Sequence, residues 1–371
     1  MNHCRGRDAP LYIGAAMHSL TEQFLDKLAF TSRQAATLKA LGEYRGRQAL
    51  FTGQKPETLK ALLTVAMVES TDSSNRIEGI VAPKARVKAL VTHDTTPQNR
   101  SEQEITGYRD ALEMIHRSTK DVRFSVHVMR MLHSAMYRYL PDEGGQWKTK
   151  NNEIVERGTD GEITRVRFRA VEATETPDAM DWLVTRYTDA IEDYPEQLVI
   201  IALTILDFLC IHPFRDGNGR ISRLITLTLL YHAGYDVGRY ISLERLFEES
   251  RRSYYEALEA CSAGWHDGKH DPTPWLDYFW GVLIRAYKEF EERVGEVEPG
   301  RGSKSERVRV AVERKIEPFP VTELERDCPG VSRETIRNVL KQLKAEGLVE
   351  SRGRGPGARW LKIGDWEAVE A

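Results

Sequence analysis

The sequence predicts a mainly α-helical protein, with one β-hairpin inserted in a large helical unit and a small basic unit at the C-terminal end. Three observations predict it. Apolar residues recur at three- and four-residue steps over most of the first 294 positions, the stripe of amphipathic helices. Only Asn151 to Arg169 departs, into β-branched and aromatic alternation on either side of Asp160-Gly161. Gly295 to Ser305 is then rich in Gly, Pro and polar residues, the composition of a domain boundary. At 371 residues the chain is long enough for two or three domains. The expected divisions are an N-terminal helical region (1–110), a helical core (111–294), a linker (295–305) and a C-terminal domain (306–371).

The elements follow in order. From Glu57 to Glu69, Leu59, Leu62, Leu63, Ala66 and Val68 mark an amphipathic helix, and similar segments run over Glu102 to His116, Ser125 to Tyr139 and Asp178 to Ile191. Glu153-Ile154-Val155 and Ile163 to Phe168 are the two strands of the hairpin. Beyond Pro195, Leu198 to Leu209 is apolar on nearly every side, as in a helix enclosed by others. His212-Pro213 ends it, because proline disfavours helical geometry in the residue before it. Further helices are expected at about Gly219 to Tyr231, Leu243 to Cys261 and Pro274 to Arg293. After the linker, Glu306 to Ile316, Val321 to Arg326 and a segment N-capped by Ser332 form three short helices. The last of these carries Ile336, Val339, Leu340 and Leu343 on one face. Leu348 to Ser351, a basic tip and Ala358 to Leu361 then make strand, turn, strand. This arrangement resembles a winged helix-turn-helix domain. Between Ser303 and Ile363 there are 14 Lys plus Arg against 9 Asp plus Glu, which suits contact with the phosphates of duplex DNA. A protein-binding winged helix is the alternative.

Composition narrows the function classes. Hydrophobic content of 41% and charged content of 29% exclude collagen-like and wholly disordered chains. The longest apolar stretch, Leu198 to Ile211, contains Asp207 and is shorter than the roughly 20 residues of a membrane helix. Met1-Asn2-His3-Cys4-Arg5 lacks a signal-peptide core, which predicts a cytoplasmic protein. Cys4, Cys210, Cys261 and Cys328 are far apart and form no CxxC pair, so reduced thiols are expected rather than a disulfide framework or a zinc site. His127 and His133 are six apart and share no helical face, which argues against a metal pair. A net charge of −3 excludes global attraction to nucleic acid, leaving the local basic patch.

The loop His212-Pro213-Phe214-Arg215-Asp216-Gly217-Asn218-Gly219-Arg220 joins two buried helices and concentrates chemistry. Gly217 and Gly219 permit positive φ and close backbone approach, and the helix that starts there presents its positive end to an anion. Arg220 and Arg223 are three apart on one helical face and could clamp a polyphosphate. Asp216 supplies an oxygen of the kind Mg²⁺ takes between phosphates. His212 titrates in the range of a general base. A plain helix-helix turn with a capping Asn and surface arginines reads the same residues more blandly.

HPFRDGNGRISR resembles the signature of the Fic family, HPF-x-[D/E]-G-N-G-R-x-x-R, at every fixed position. The resemblance implies a helical core with a β-hairpin flap, and transfer of AMP from ATP, with Mg²⁺, to a Ser, Thr or Tyr hydroxyl of a target protein. It implies that His212 is the base and Asp216 the Mg²⁺ ligand. Gly217, Asn218, Gly219 and Arg220 would form the anion hole and Arg223 would hold the γ-phosphate, while Phe214 anchors the loop. The hairpin at Asn151 to Arg169 stands where the family carries a flap that pins a target segment by strand addition. Tyr254 and Tyr255 look like a Tyr-Tyr pair near the adenine, with core packing an equal explanation. Trp147 and Lys148 either line the target groove or pack. Upstream, Ser74-Asn75-Arg76-Ile77-Glu78-Gly79 resembles the inhibitory pattern [S/T]-x-x-x-E-[G/N], so Ser74, Glu78 and Gly79 would belong to an inhibitory helix whose Glu78 pairs with Arg223. The alternative for this segment is a helix closed by Gly79.

The sequence thus points to a self-inhibited protein adenylyltransferase with a C-terminal winged helix. A nucleotide-sensing transcription regulator, another nucleotide donor and removal of AMP are the rival functions. A homodimer is a further candidate assembly.

Overall fold

The protein is described from a computed structural model, which covers residues 18–296 except 55, 119–122, 141–143 and 158–161. In the C-terminal region it covers 305–363 except 306–307, 310, 314, 316–317, 329–330 and 354–357. Cys4, the hairpin tip, most of the linker and the basic tip of the last hairpin lie outside the described residues. The chain divides between Val294 and Gly295 into two compact units.

The first unit begins with α1 (Glu22–Leu25), α2 (Ser32–Gln54), α3 (Pro56–Ile77), α4 (Lys84–Val91), α5 (Arg100–Ser118) and α6 (Val126–Met136). The hairpin β1 (Glu153–Arg157) and β2 (Ile163–Arg169) follows, antiparallel, with two register shifts that bend it. Then come α7 (Thr176–Asp193), α8 (Gln197–Ile211), α9 (Asn218–His232), α10 (Leu243–Glu249), α11 (Arg251–Ser262) and α12 (Thr273–Glu296). The helix expected over Glu57 to Glu69 runs two turns further, to Ile77. α5 runs across residue 110, so the expected division there falls inside a helix.

The single helix expected from Leu243 to Cys261 is two, a correction with a visible cause. Ser250 takes φ −110° and ψ 28° between α10 and α11. Its hydroxyl bonds back to the Leu246 carbonyl (2.7 Å) and meets the Tyr278 hydroxyl (2.8 Å), competing with the helix ladder.

Every residue of α8 from Leu198 to Ile211 is buried. Trp275 and Trp280 of α12 pack on it and donate their indole N–H groups to the carbonyls of Ala202 and Leu198. Each fully buried Leu, Ile, Val or Phe stabilises by about 1.5–3 kcal/mol relative to exposure. α8 is therefore the costliest element to displace, and the loop at its C-terminus inherits that rigidity. Asp207, buried within α8, accepts hydrogen bonds from Ser19 Oγ (2.5 Å) and Trp265 Nε1 (2.6 Å), and burial raises its pKa to about 7. Among the described residues no helix is long and apolar enough to cross a membrane.

In the second unit, β3 (Phe319–Pro320), α13 (Val321–Asp327), α14 (Arg333–Ala345), β4 (Val349–Arg352) and β5 (Arg359–Lys362) surround their own core. The sheet is antiparallel in the order β3-β5-β4. Ser332 caps α14 as expected, its hydroxyl accepting from Thr335 N (3.2 Å), and Ile336, Val339, Leu340 and Leu343 are buried. The helix expected from Glu306 to Ile316 is described only in part; Val308 and Val312, four apart, are buried in this core.

Candidate active site

α8 ends at His212, which takes the left-handed conformation (φ 51°, ψ 60°). A non-glycine residue rarely adopts it, and the following Pro213 excludes helical continuation. The turn leaves His212 half-buried at the end of the helix. Its Nδ1 lies 3.2 Å from the Leu209 carbonyl oxygen, which can only accept, so Nδ1 carries the proton and Nε2 the lone pair. Burial lowers the His212 pKa to about 4, with the Lys148 ammonium acting in the same direction and Glu78 and Asp216 against it. The ring is therefore neutral at physiological pH, the form a base requires.

The rest of the loop is pinned from several sides. Asn218 accepts from Phe214 N (2.9 Å) and donates to Phe214 O (2.8 Å), and Phe214 stacks on His133 with 3.8 Å between ring centroids. The Asn218 side chain therefore faces inward and holds the loop, which leaves its backbone N–H for the anion hole expected here. Asn152 also donates to Phe214 O (3.1 Å). Lys148 is buried, and its Nζ donates to Ile211 O and Asn152 Oδ1, both at 2.9 Å. Burial lowers its pKa to about 8. Lys148 is thus a brace and not groove lining; Trp147 packs beside the Phe214 ring. His133 is another brace, with Nδ1 accepting from Gly145 N (2.8 Å) and Nε2 donating to Asp216 O (3.1 Å).

Gly217, at φ 78°, opens α9, and no side chain caps the first N–H groups of that helix. These donors and the helix dipole make an anion seat. Arg220 does not reach into it. It is 1% exposed, paired with Glu104 (2.8 Å), and donates to the Tyr137 hydroxyl (3.0 Å). The guanidinium thus faces Glu104 and Tyr137, with its Nε buried and without a hydrogen-bond partner. Tyr137 in turn donates to Asp216 Oδ2 (2.9 Å). Burial pushes the Asp216 pKa up, but Tyr137, Arg220 and the Gly217 N–H more than offset it, so the carboxyl titrates below its ordinary value. It therefore carries its charge at neutral pH, on a side chain that is 71% exposed. One exposed carboxylate beside a phosphate seat fits Mg²⁺, which keeps several waters and shares substrate oxygens. Among the described residues no cluster of three His, Cys, Asp or Glu forms a protein-only cage.

Glu78 enters this seat from α3. The helix closes in a Schellman motif: Ile80 N donates to Asn75 O and Gly79 N to Arg76 O, each at 3.0 Å, with Gly79 at φ 81°. The helix closure at Gly79 is thus present, and it leaves Glu78 facing α9. Arg223, 2% exposed, donates from Nη2 to Glu78 Oε1 (2.8 Å) and Ser74 O (2.9 Å), and from Nε to Ser74 Oγ (2.9 Å). Its Nη1 is buried without a hydrogen-bond partner. A Cβ added to Gly219 would lie 2.2 Å from Glu78 Oε1, so the carboxylate rests directly against the helix N-terminus.

A cleft of about 430 Å³ opens in front of these groups. Its lining includes Glu78, His212, Asp216 to Gly219, Tyr254 and Tyr255, with Leu206, Leu209 and Leu258 on an apolar side. Tyr254 is buried and Tyr255 half-buried, their rings edge-on at 5.1 Å, so they serve core and cleft together. The hairpin contributes Ile154, Val155 and Phe168 to the cleft, and Arg165 and Arg167 of β2 both pair with Glu259 of α11. Sequence reasoning missed Tyr137, Glu104 and Asn152. The only local signal was His133 and Tyr137, two polar rings one turn apart on an apolar helix.

Residues 123–230 match the model of the Fic/DOC family. A protein adenylyltransferase Fic from Drosophila willistoni is 26% identical over 199 residues, covering 51% of this chain and 35% of that protein. One from Aedes aegypti is 43% identical over 54 residues, covering 15% of this chain and 10% of that protein. The chain thus spans about a third or less of the curated relatives it matches. Among solved structures, a Fic family protein from Desulfovibrio desulfuricans has a TM-score of 0.60 at 20% identity, covering 91% of this chain and 98% of its own. Fic-1 from C. elegans has a TM-score of 0.54 at 19% identity, covering 72% and 73%. Residues 123–230 accordingly match a Fic domain, carried on a mainly helical scaffold of the same fold.

Proposed function

We propose that this Fic domain works as a protein adenylyltransferase that Glu78 holds in check. The observation that carries the reading is the place of the Glu78 carboxylate, bound to Arg223 and pressed on the N-terminus of α9, where an anionic phosphate would otherwise sit. ATP would lie in the cleft, with its base near Tyr255 and the apolar side. Its phosphates would meet the N–H groups of Gly217, Asn218 and Gly219, and its γ-phosphate would take the place of Glu78 beside Arg223. A target hydroxyl would lose its proton to His212 Nε2 as its oxygen attacks the α-phosphorus, and the bond from that phosphorus to the β-phosphate oxygen would break to release pyrophosphate. Asp216 would hold Mg²⁺, which when bound offsets phosphate charge. The exposed face of the hairpin, with Ile163 and Val166, suits a target segment added as a strand. Incubation with ATP and Mg²⁺ followed by mass spectrometry should find one AMP added to the protein or a lysate target. His212→Ala should reduce this by about a hundred- to ten-thousand-fold. Transfer at the wild-type rate by His212→Ala would refute the reading.

For the second unit we propose a winged helix that binds duplex DNA. The favouring observation is the exposed face of α14, where Arg337, Lys341 and Lys344 stand clear of the buried stripe, with Arg352 and Arg359 exposed on the strands. Residues 303–371 should bind duplex DNA at low salt and release it as salt rises. No binding at low salt would favour a protein partner.

A further inference from the structure

Behind the inhibitory contact lies a buried polar centre on which the AMP-transfer chemistry makes no demand. Glu244, in the first turn of α10, is fully buried, as are Tyr108 of α5, Ser242 and, at 1% exposure, Ser70 of α3. Glu244 Oε2 accepts from Ser70 Oγ (2.7 Å) and stands 3.4 Å from Ser242 Oγ, while Oε1 accepts from the Tyr108 hydroxyl (3.0 Å). Two ion pairs flank this centre between the same helices, Glu69 with Arg245 (3.1 Å) and Arg76 with Glu248 (2.6 Å).

The spacing along α3 gives the centre its meaning. Ser70, Ser74 and Glu78 recur every four residues and so share one helical face. Ser70 is held by Glu244, Ser74 by Arg223, and Glu78 by Arg223. The Tyr108 hydroxyl of α5 donates to the same carboxylate from the other side, so Glu244 ties α3 and α5 together. A slide of α3 by one residue would carry Glu78 about 1.5 Å along the axis and break its pairing. It would also strip Glu244 of the Ser70 hydroxyl, and a buried carboxylate left short of donors is costly.

We propose that Glu244 is the positioning residue of the inhibitory contact: by binding Ser70 of α3 and Tyr108 of α5, it sets the register of α3 at which Glu78 meets Arg223. The inference rests on the reading that Glu78 competes with nucleotide. It makes inhibition a property of the α3–α10 seam as well as of the Glu78–Arg223 pair. Removing a donor leaves the carboxylate in want of water, and the cheapest way to admit water is to lift α3. Loosening the seam therefore raises activity, the opposite of what a merely structural defect would do.

Because Glu244→Ala would empty a fully buried site, the test uses Ser70→Ala and Tyr108→Phe in the full chain, with two readouts. The first is automodification with ATP and Mg²⁺, where loss of a hydrogen bond to a charged group should raise the rate about tenfold. That gain should vanish in the Glu78→Gly background, where nothing remains to position. The second is amide hydrogen exchange, which should quicken over residues 66–78 and stay slow over Leu198–Ile211. Unchanged exchange in α3, quickening throughout the unit, or a gain that persists on top of Glu78→Gly would each overturn the proposal. If Glu78→Gly itself does not activate, the competition reading fails, and the exchange readout still decides whether Glu244 holds α3.

Discussion

The inward-facing side chain of Asn218 gives a prediction that separates holding the loop from holding the nucleotide. In Asn218→Ala the N–H of Phe214 loses its acceptor at 2.9 Å, while Phe214 O keeps Asn152 (3.1 Å) after losing Asn218 (2.8 Å). Asn218 is 1% exposed and Phe214 fully buried, so water does not replace what is lost. An unsatisfied buried N–H costs about 1–3 kcal/mol, and the lost bond to the carbonyl contributes about 1 more, for a total of about 2–4 kcal/mol. In a unit of this size that lowers the melting temperature by roughly 3–7 °C. Calorimetric melting of the nucleotide-free protein, wild type against Asn218→Ala, makes the measurement. A melting temperature unchanged within about 1 °C together with loss of ATP affinity would refute the argument, because it would mean that the amide meets phosphate and not Phe214.

Two further outcomes follow from the same geometry. The acting form of His212 is neutral and burial depresses its pKa to about 4, so activity should be present above that value and be lost as pH falls through it. Initial rates of the Glu78→Gly enzyme should be nearly equal at pH 8 and pH 6, whereas a histidine at the ordinary value of about 6.5 would lose about three quarters of the rate by pH 6; a midpoint near 6.5 would contradict the burial argument. Gly219→Ala places a methyl group 2.2 Å from Glu78 Oε1 and so in the anion seat itself. The double variant with Glu78→Gly should lose most of the single variant's gain, and an equally active double variant would show that phosphate does not pass there.

Much of this site was legible because the chemistry is local in sequence. His212 to Arg223 is one loop and one helical turn beyond it, and Ser74 to Glu78 is one turn of helix, so spacing alone sets these groups on shared faces. What was not legible is the direction each side chain takes. Arg220 and Arg223 share a face, yet Arg220 is drawn inward by Glu104, more than a hundred positions upstream, and only Arg223 meets Glu78. No periodicity marks such a partner. Tyr137, Glu104 and Glu244 are single polar residues within apolar stripes, and their roles emerge only when distant helices pack. The break at Ser250 was hidden for a related reason, since neither glycine nor proline stands there and the competing hydrogen bonds come from a serine and a distant tyrosine. The helices themselves were the easier part, because burial against a neighbour reinforces the period of each, as α8 does for α7, α9 and α11.

The central claim is that one carboxylate holds the seat of the γ-phosphate. Its most direct test compares wild type with Glu78→Gly, both saturated with ATP and Mg²⁺, by the rate at which the intact protein gains the mass of one AMP. A misplacement of about 1 Å can cost about a hundredfold in rate, so Glu78→Gly should be faster by that order, with Arg223→Ala giving no gain because it removes the phosphate clamp together with the inhibitory partner. A Glu78→Gly protein no faster than wild type would contradict the account and reduce Glu78 to the last residue of a well-closed helix.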